Sequence, residues 1–323
     1  MIELTDTSSA AIAAEMVAER SRHGSPAMGM VMTMVIVVDE DESAHALASA
    51  RQASHEHPAR VLGVILGDGR GKPTVNAQIG VGDGWSGETA LIRLSGEVVK
   101  HAESVVLPLL LPDSPVVVWW PNDHPEDPAS DPIGALAQRR ITDAASVRRG
   151  KAAAMHRLCE SYAPGTTDLA WTRLTPWRAL LAAALDQQPL KVRRATVTAE
   201  RISPSADLLT AWLADRLKVK VDRASSAGPG ITVVVLDTAE GPIRITRKDG
   251  KLATFTSPGR PDRPVALKRR EVPALLAEEL RRLDEDDVYA ATAKKLVASG
   301  GAAPAKKAAS GKPAARKRAK KTT

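Results

Sequence analysis

The sequence predicts an α/β N-terminal domain with a mostly parallel sheet (residues 1–165), then a smaller α+β domain (166–302) and a disordered basic tail (303–323). Three observations point there. In the first half, short β-branched runs alternate with segments of helical period, the pattern of βαβ units and parallel strands. In the second half the order is strand, helix, three strands and two helices, which suits an antiparallel sheet with helices on one side. The end of the chain, rich in Ala, Lys and Pro and free of acids and aromatics, cannot bury a core.

With 323 residues, 43% hydrophobic and 26% charged, the chain has material for two globular domains. Its formal charge of +7 is misleading. Lys306, Lys307, Lys312, Arg316, Lys317, Arg318, Lys320 and Lys321 together exceed it, so residues 1–302 carry a slightly negative balance. A tail of this kind is a solvated extension with weak affinity for polyanions, and without aromatics it has no platform for stacking bases. No apolar run approaches the ~18 residues of a membrane span. The start Met1-Ile2-Glu3-Leu4 lacks the basic residues and apolar core of a signal peptide. Cys159, the one cysteine, allows neither an intramolecular disulfide nor a thiolate metal cluster, so the cytoplasm is the expected compartment.

In chain order, Ser8–Arg22 reads as a helix with Ile12, Met16 and Val17 on one face, ended by His23-Gly24-Ser25-Pro26. Met28, Met30, Met32 and Met34 alternate into Val35–Val38, placing the methionines on one face of a strand as pliable core filler. A helix follows to about Ser54, then a parallel strand over Arg60–Leu66. His55-Glu56-His57 has no third ligand nearby and reads as a loop, not a metal site. Gly67–Lys72 departs from the phosphate-loop pattern, with Pro73 where a helix should start, and reads as a hairpin turn before Thr74–Val81. A second glycine-rich turn, Gly80–Gly87 around Trp85, precedes the strand Glu88–Leu94, and Glu97–Val106 reads as a helix.

Val116–Val118, fenced by prolines, is a buried strand on which consecutive Trp119 and Trp120 point to opposite faces. The polar loop Asn122–Asp131 follows its carboxyl end, where open α/β sheets place their ligand crevices. Pro132–Arg139 is expected to be a short helix, Arg140–Asp143 extended and Ala144–Tyr162 helical, with a break at Pro164–Thr167. Thr175-Pro176 opens a core-facing helix through Trp177, Leu181 and Leu185 that bridges the halves. The second half places strands at Leu190–Ala199, Ile231–Leu236, Pro242–Arg247 and Leu252–Thr256, and helices at Pro204–Leu217, Glu271–Leu283 and Asp286–Ala298.

There is no G-x-S-x-G elbow, no H-E-x-x-H and no well-placed G-x-G-x-x-G, so no catalytic, cofactor-binding or metal residue is assigned and no cofactor is expected. The candidates for a partner-binding surface or an anion pocket cluster in the middle of the chain. They are Trp119 and Trp120, then Arg139, Arg140 and Asp143, then Asp168, Trp171, Thr172 and Arg173, and last Trp177 and Arg178. Guanidinium groups beside indole rings can hold an anion bidentately, form an interface hot spot, or make a buried Arg–Asp network with core tryptophans. All three alternatives stay open at this point.

These residues also carry a family resemblance. Ser104–Pro108 through Trp119-Trp120-Pro121, Arg139-Arg140-Ile141-Thr142-Asp143, and Asp168–Arg173 through Trp177-Arg178 resemble the OpcA family of glucose-6-phosphate dehydrogenase assembly proteins. His55–Arg60 and Trp85-Ser86-Gly87-Glu88 match as well, and the resemblance spans roughly residues 10 to 300. It implies a non-enzyme whose partner is glucose-6-phosphate dehydrogenase, as assembly factor or allosteric activator, supporting the oxidative pentose phosphate pathway and NADPH supply. The thioredoxin control of cyanobacterial members needs cysteines that this chain lacks beyond Cys159, and the alanine-lysine tail resembles actinobacterial members. The alternative is a sugar-phosphate or nucleotide-binding enzyme using the crevice after Pro121.

Overall fold

The computed structural model describes residues 2–22, 29–81 and 88–300. The ending His23–Pro26, Met28, Trp85 with its turn, and the 303–323 tail lie outside the described residues. Two sheets organise the chain. The first has eight strands: β1 (Ile2–Leu4), β2 (Met32–Val38), β3 (Ala59–Leu66), β4 (Thr74–Val81), β5 (Glu88–Ser95), β6 (Val116–Trp119), β7 (Arg139–Thr142) and β8 (Thr166–Asp168). Their spatial order is β1-β4-β5-β3-β2-β6-β7-β8. From β5 to β8 every pair is parallel, with Met32 opposite Ala59 and Thr33 opposite Val116, while β4 and β1 add antiparallel edge pairings. Numbered as they occur along the chain, the six parallel strands lie 3-2-1-4-5-6. That is the order of a dinucleotide-binding sheet, with its switch point between β2 and β6.

Both faces of this sheet are covered, so its strands are apolar throughout instead of alternating. Helix α1 (Ser9–Arg22) lays Ile12 and Met16 on one face, beside Val35, Val118 and Trp120. Helix α2 (Glu40–Ser54) covers the other, where Met32, Met34, Ile36 and Trp119 are buried. Met32 and Met34 therefore share a face as the alternation predicts, and Trp119 and Trp120 sit on opposite faces, both buried. His57 Nε2 lies 3.1 Å from the Ala277 carbonyl oxygen, within hydrogen-bond distance.

Several expectations are corrected. Gly67–Lys72 is no hairpin, because β3 pairs with β5 and the chain passes over to reach β4 at the outer edge. The 96–109 segment holds only the short α3 (Ala102–Val106) between 3₁₀ turns. Pro132–Arg139 forms only a 3₁₀ turn at Gly134–Leu136, with Arg139 already in β7. Helix α4 (Lys151–Glu160) starts seven residues later than predicted. Its N-cap Gly150 has a positive φ of 67°, and Asp143 binds the Ala145 N–H and the Ser146 hydroxyl, holding 143–146 in a turn. The short α5 (Leu169–Thr172) and α6 (Thr175–Gln187) then lead into the second half.

The second sheet has six strands: β9 (Arg194–Glu200), β10 (Lys220–Ser226), β11 (Ile231–Asp237), β12 (Pro242–Thr246), β13 (Leu252–Thr256) and β14 (Arg263–Ala266), in the order β10-β9-β11-β12-β13-β14. The predicted sheet lacked β10 and β14. It is antiparallel except that β10 runs parallel to β9 across helix α7 (Pro204–Leu217), a second βαβ unit. Polar side chains in Lys220–Ser226 and the proline in Arg263–Ala266 hide these edge strands from a pattern search.

One core joins the halves: Met155, Leu158, Trp171, Trp177 and Leu181 pack with Val197, Leu209, Leu236, Phe255 and Tyr289. The two final helices separate. Helix α9 (Asp287–Ala298) packs with α7 and α4, whereas α8 (Val272–Leu280) packs on α2. There α8 buries Leu275, Leu276 and Leu280 on the methionine face of the first sheet. The expectation that both helices cover the second sheet is therefore wrong for α8.

Candidate functional site

The central residues divide into three places. Trp119 and Trp120 belong to the first sheet. Gly134 lets a loop close over Trp120, since a Cβ there would stand 3.1 Å from the indole and 1.9 Å from the Pro128 carbonyl oxygen. Arg140 is buried under that loop and donates to Thr166 Oγ1 at 3.0 Å and to the Ala137 and Pro164 carbonyls. Burial depresses its guanidinium pKa, with Asp127 opposing the shift.

A second group knits β7 and α5 to the last helices. Arg139 donates to Glu279 Oε2 at 2.6 Å and to the Asp284 carbonyl at 2.9 Å, and Thr172 donates to Glu279 Oε1 at 2.5 Å. Trp171 donates to Asp286 Oδ2 at 2.8 Å, with the Arg178 guanidinium 3.7 Å over its ring. Asp168 caps α5 through the Ala170 N–H at 2.7 Å and accepts from Thr142 Oγ1 and the Ala144 N–H. Burial and the charge of Asp143 raise its carboxyl pKa against those three bonds. With the charges paired or hydrogen-bonded inside the protein, this group is an internal network.

The third place is open. Arg173 grips Asp143 with two 2.7 Å bonds and, with Trp177, lines a cavity of about 520 Å³ between the sheets. The other walls come from residues that the sequence reading did not single out: Lys151, Arg247, Lys268, Arg269 and Arg270, with Glu200, Ser203 and Glu271. Six cations thus face two carboxylates in a body whose overall balance is slightly negative. The run Lys268-Arg269-Arg270 was the visible signal; Arg247 ends a strand pattern and gave none. First-turn residues of four helices also reach the cavity: Lys151 of α4, Pro176 and Trp177 of α6, Pro204 and Ser205 of α7, and Val272 of α8. Each helix directs the positive end of its dipole there.

Arg247 is the most constrained of the cations, at 5% exposure. It donates to the Leu267 and Ile231 carbonyls at 3.0 and 3.1 Å, and its Nε has no acceptor among the described residues. Burial, aided by the charge of Arg269, lowers its pKa to about 10.

The crevice after Pro121 has the opposite character. Its cavity of about 290 Å³ is lined by Asp39, Asp123, Asp131, His124 and Trp120. Glu40, Asp41 and Glu42 fill the first turn of α2, where a dinucleotide fold presents free N–H groups to a pyrophosphate. Arg148 is held between Asp39 and Asp123. A phosphate placed here would meet carboxylates.

Comparison with known proteins follows the same division of the chain. Residues 50–160 match a family model for the N-terminal assembly domain of the OpcA glucose-6-phosphate dehydrogenase protein, and residues 164–293 match the model for its C-terminal domain. No curated protein matches at a significant level. Among solved structures, similarity is found to the K102A mutant of KijD10, a 3-ketoreductase from Actinomadura kijaniata, at 9% identity and a TM-score of 0.43, covering 83% of this chain and 95% of that one. An oxidoreductase from Sinorhizobium meliloti is similar at 11% identity and a TM-score of 0.40, covering 83% of this chain and 87% of that one. With both domain models of one family matched in succession over most of its length, the chain belongs to the OpcA family of glucose-6-phosphate dehydrogenase assembly proteins.

Proposed function

We propose that the chain binds glucose-6-phosphate dehydrogenase as an assembly factor or allosteric activator and catalyses no reaction of its own, supporting oxidative pentose phosphate flux and NADPH supply in the cytoplasm. The observation that carries this reading is the succession of the two family domains along one chain. The acidic switch-point crevice supports it, because the place where this strand order receives a dinucleotide is lined with like charge. The cavity between the sheets holds neither a histidine nor a cysteine among its lining residues, so no general base of those types sits beside its serines there. The alternative of a phosphate-using enzyme in the crevice after Pro121 loses its electrostatic basis.

Division into domains at about residue 165 supports a division of labour, with the internal network of Arg139, Glu279 and Trp171 fixing how the two halves face the dehydrogenase. Trp119, Trp120, Trp171 and Trp177 are buried, so they shape the docking surface from beneath instead of forming it. Any activation comes from binding the active form more tightly, and each ~1.4 kcal/mol of preference shifts that equilibrium tenfold. Mass measurement on a mixture of this chain with the dehydrogenase of the same organism tests the reading. A defined complex is expected, and two unassociated folded proteins at micromolar concentration would contradict it.

A further inference from the structure

We propose that the cavity between the two sheets is a binding site for a small phosphate ester, held in common by residues of both halves. The inference stands apart from the dehydrogenase role, since it rests on the walls of the cavity alone.

The walls are built from both halves. Lys151 and the Asp143-paired Arg173 come from the segment that follows β7 and from the α5–α6 junction. Arg247 leaves the end of β12, and Lys268, Arg269 and Arg270 follow β14. Of these cations, Arg173 and Arg270 have carboxylate partners, Asp143 and Glu278. Lys151, Lys268, Arg269 and Arg247 form no ion pair among the described residues. The two carboxylates of the lining do not neutralise them: Glu200 is engaged by the Gly230 N–H, and Glu271 is exposed at the start of α8.

Like charges gathered around a concavity repel one another, and Arg269 stands close enough to Arg247 to disfavour its charged form. An anion in the cavity removes that repulsion. A dianion suits it better than a carboxylate because forked guanidinium groups and helix N-termini converge from several directions. Proline in the first turns of α6, α7 and α8 removes one N–H from each but leaves the dipoles in place. Arg247 supplies the independent mark of a ligand site: a side chain more than nine-tenths buried in the wall, with carbonyls as its partners and an Nε that donates to nothing described. The volume of about 520 Å³ suits a metabolite and is too enclosed for a nucleic-acid strand. Ser203 and Ser205 at the entrance of α7 are placed to meet hydroxyls on the body that carries the phosphate.

Thermal unfolding and calorimetry on the full chain test this. The probes are pyrophosphate, a hexose monophosphate and a nucleoside monophosphate, the last two each against its dephosphorylated parent. Saturable stabilisation by at least one phosphate compound and by neither parent is expected. The paired substitution Lys268→Ala/Arg269→Ala alters exposed side chains and should weaken that binding on the order of tenfold or more. Lys72→Ala/Lys100→Ala, which removes the same charge on the first sheet's side, should leave it unchanged. The ester that binds more tightly identifies the body that the cavity accepts. Absence of saturable binding by all three phosphates would overturn the proposal, as would equal affinity in the cavity variant or equal loss in the control.

Discussion

Glu279 shows what single residues do here. Its two oxygens accept from Arg139 and Thr172, and it is buried together with Arg139. Removing it leaves a buried guanidinium with the Asp284 carbonyl as its remaining partner, so Glu279→Ala should destabilise by about 3–5 kcal/mol in urea unfolding. A loss below about 1 kcal/mol would show that the network is not holding the halves. Cys159 makes the opposite point: burial raises its thiol to about 12, so it should resist alkylation at pH 8 until the chain is unfolded. Rapid labelling of the folded protein would contradict its placement. The Arg, Asp and Trp cluster was legible in the sequence because its members stand close together between residues 119 and 178. Their partners Glu278, Glu279 and Asp286 were not, since pairs more than a hundred residues apart leave no local trace.

At the scale of elements, the strongly periodic pieces were readable. The β2-α2-β3 unit and α7 stand where their patterns place them. The late start of α4, the path to β4 and the edge strands β10 and β14 were not, because side-chain turns and long-range pairing decided them. Helix α7 provides a further check. Burial raises the Asp207 carboxyl to about 6, although Arg223 at 3.2 Å opposes the shift. A carboxyl whose folded pKa lies above its unfolded value near 3.8 binds more protons when folded, so its stabilising contribution is full below pH ~3.8. That contribution falls as pH rises from about 4 to 6, by about 3 kcal/mol in all. Asp207→Asn removes this slope while Arg223 keeps the Glu200 and Ala224 carbonyls. A pH series of unfolding midpoints should therefore fall less steeply between pH 4 and 6 in the variant, and identical profiles would refute the assignment.

At the scale of the molecule, the strand order of a dinucleotide fold has been kept without the charge pattern that a dinucleotide needs. Carboxylates line the switch point, and the cations face a cavity shared by two sheets that one apolar core and one ionic network join. That arrangement fits a protein that binds and transmits, as membership of the OpcA family implies. The most direct test follows the initial rate of the same organism's glucose-6-phosphate dehydrogenase while this chain is titrated into it, with the chain alone as control. A saturable change in dehydrogenase rate at a fixed ratio of the two proteins, with no turnover by the chain itself, is the predicted result. A dehydrogenase rate indifferent to the folded chain at every ratio would contradict it.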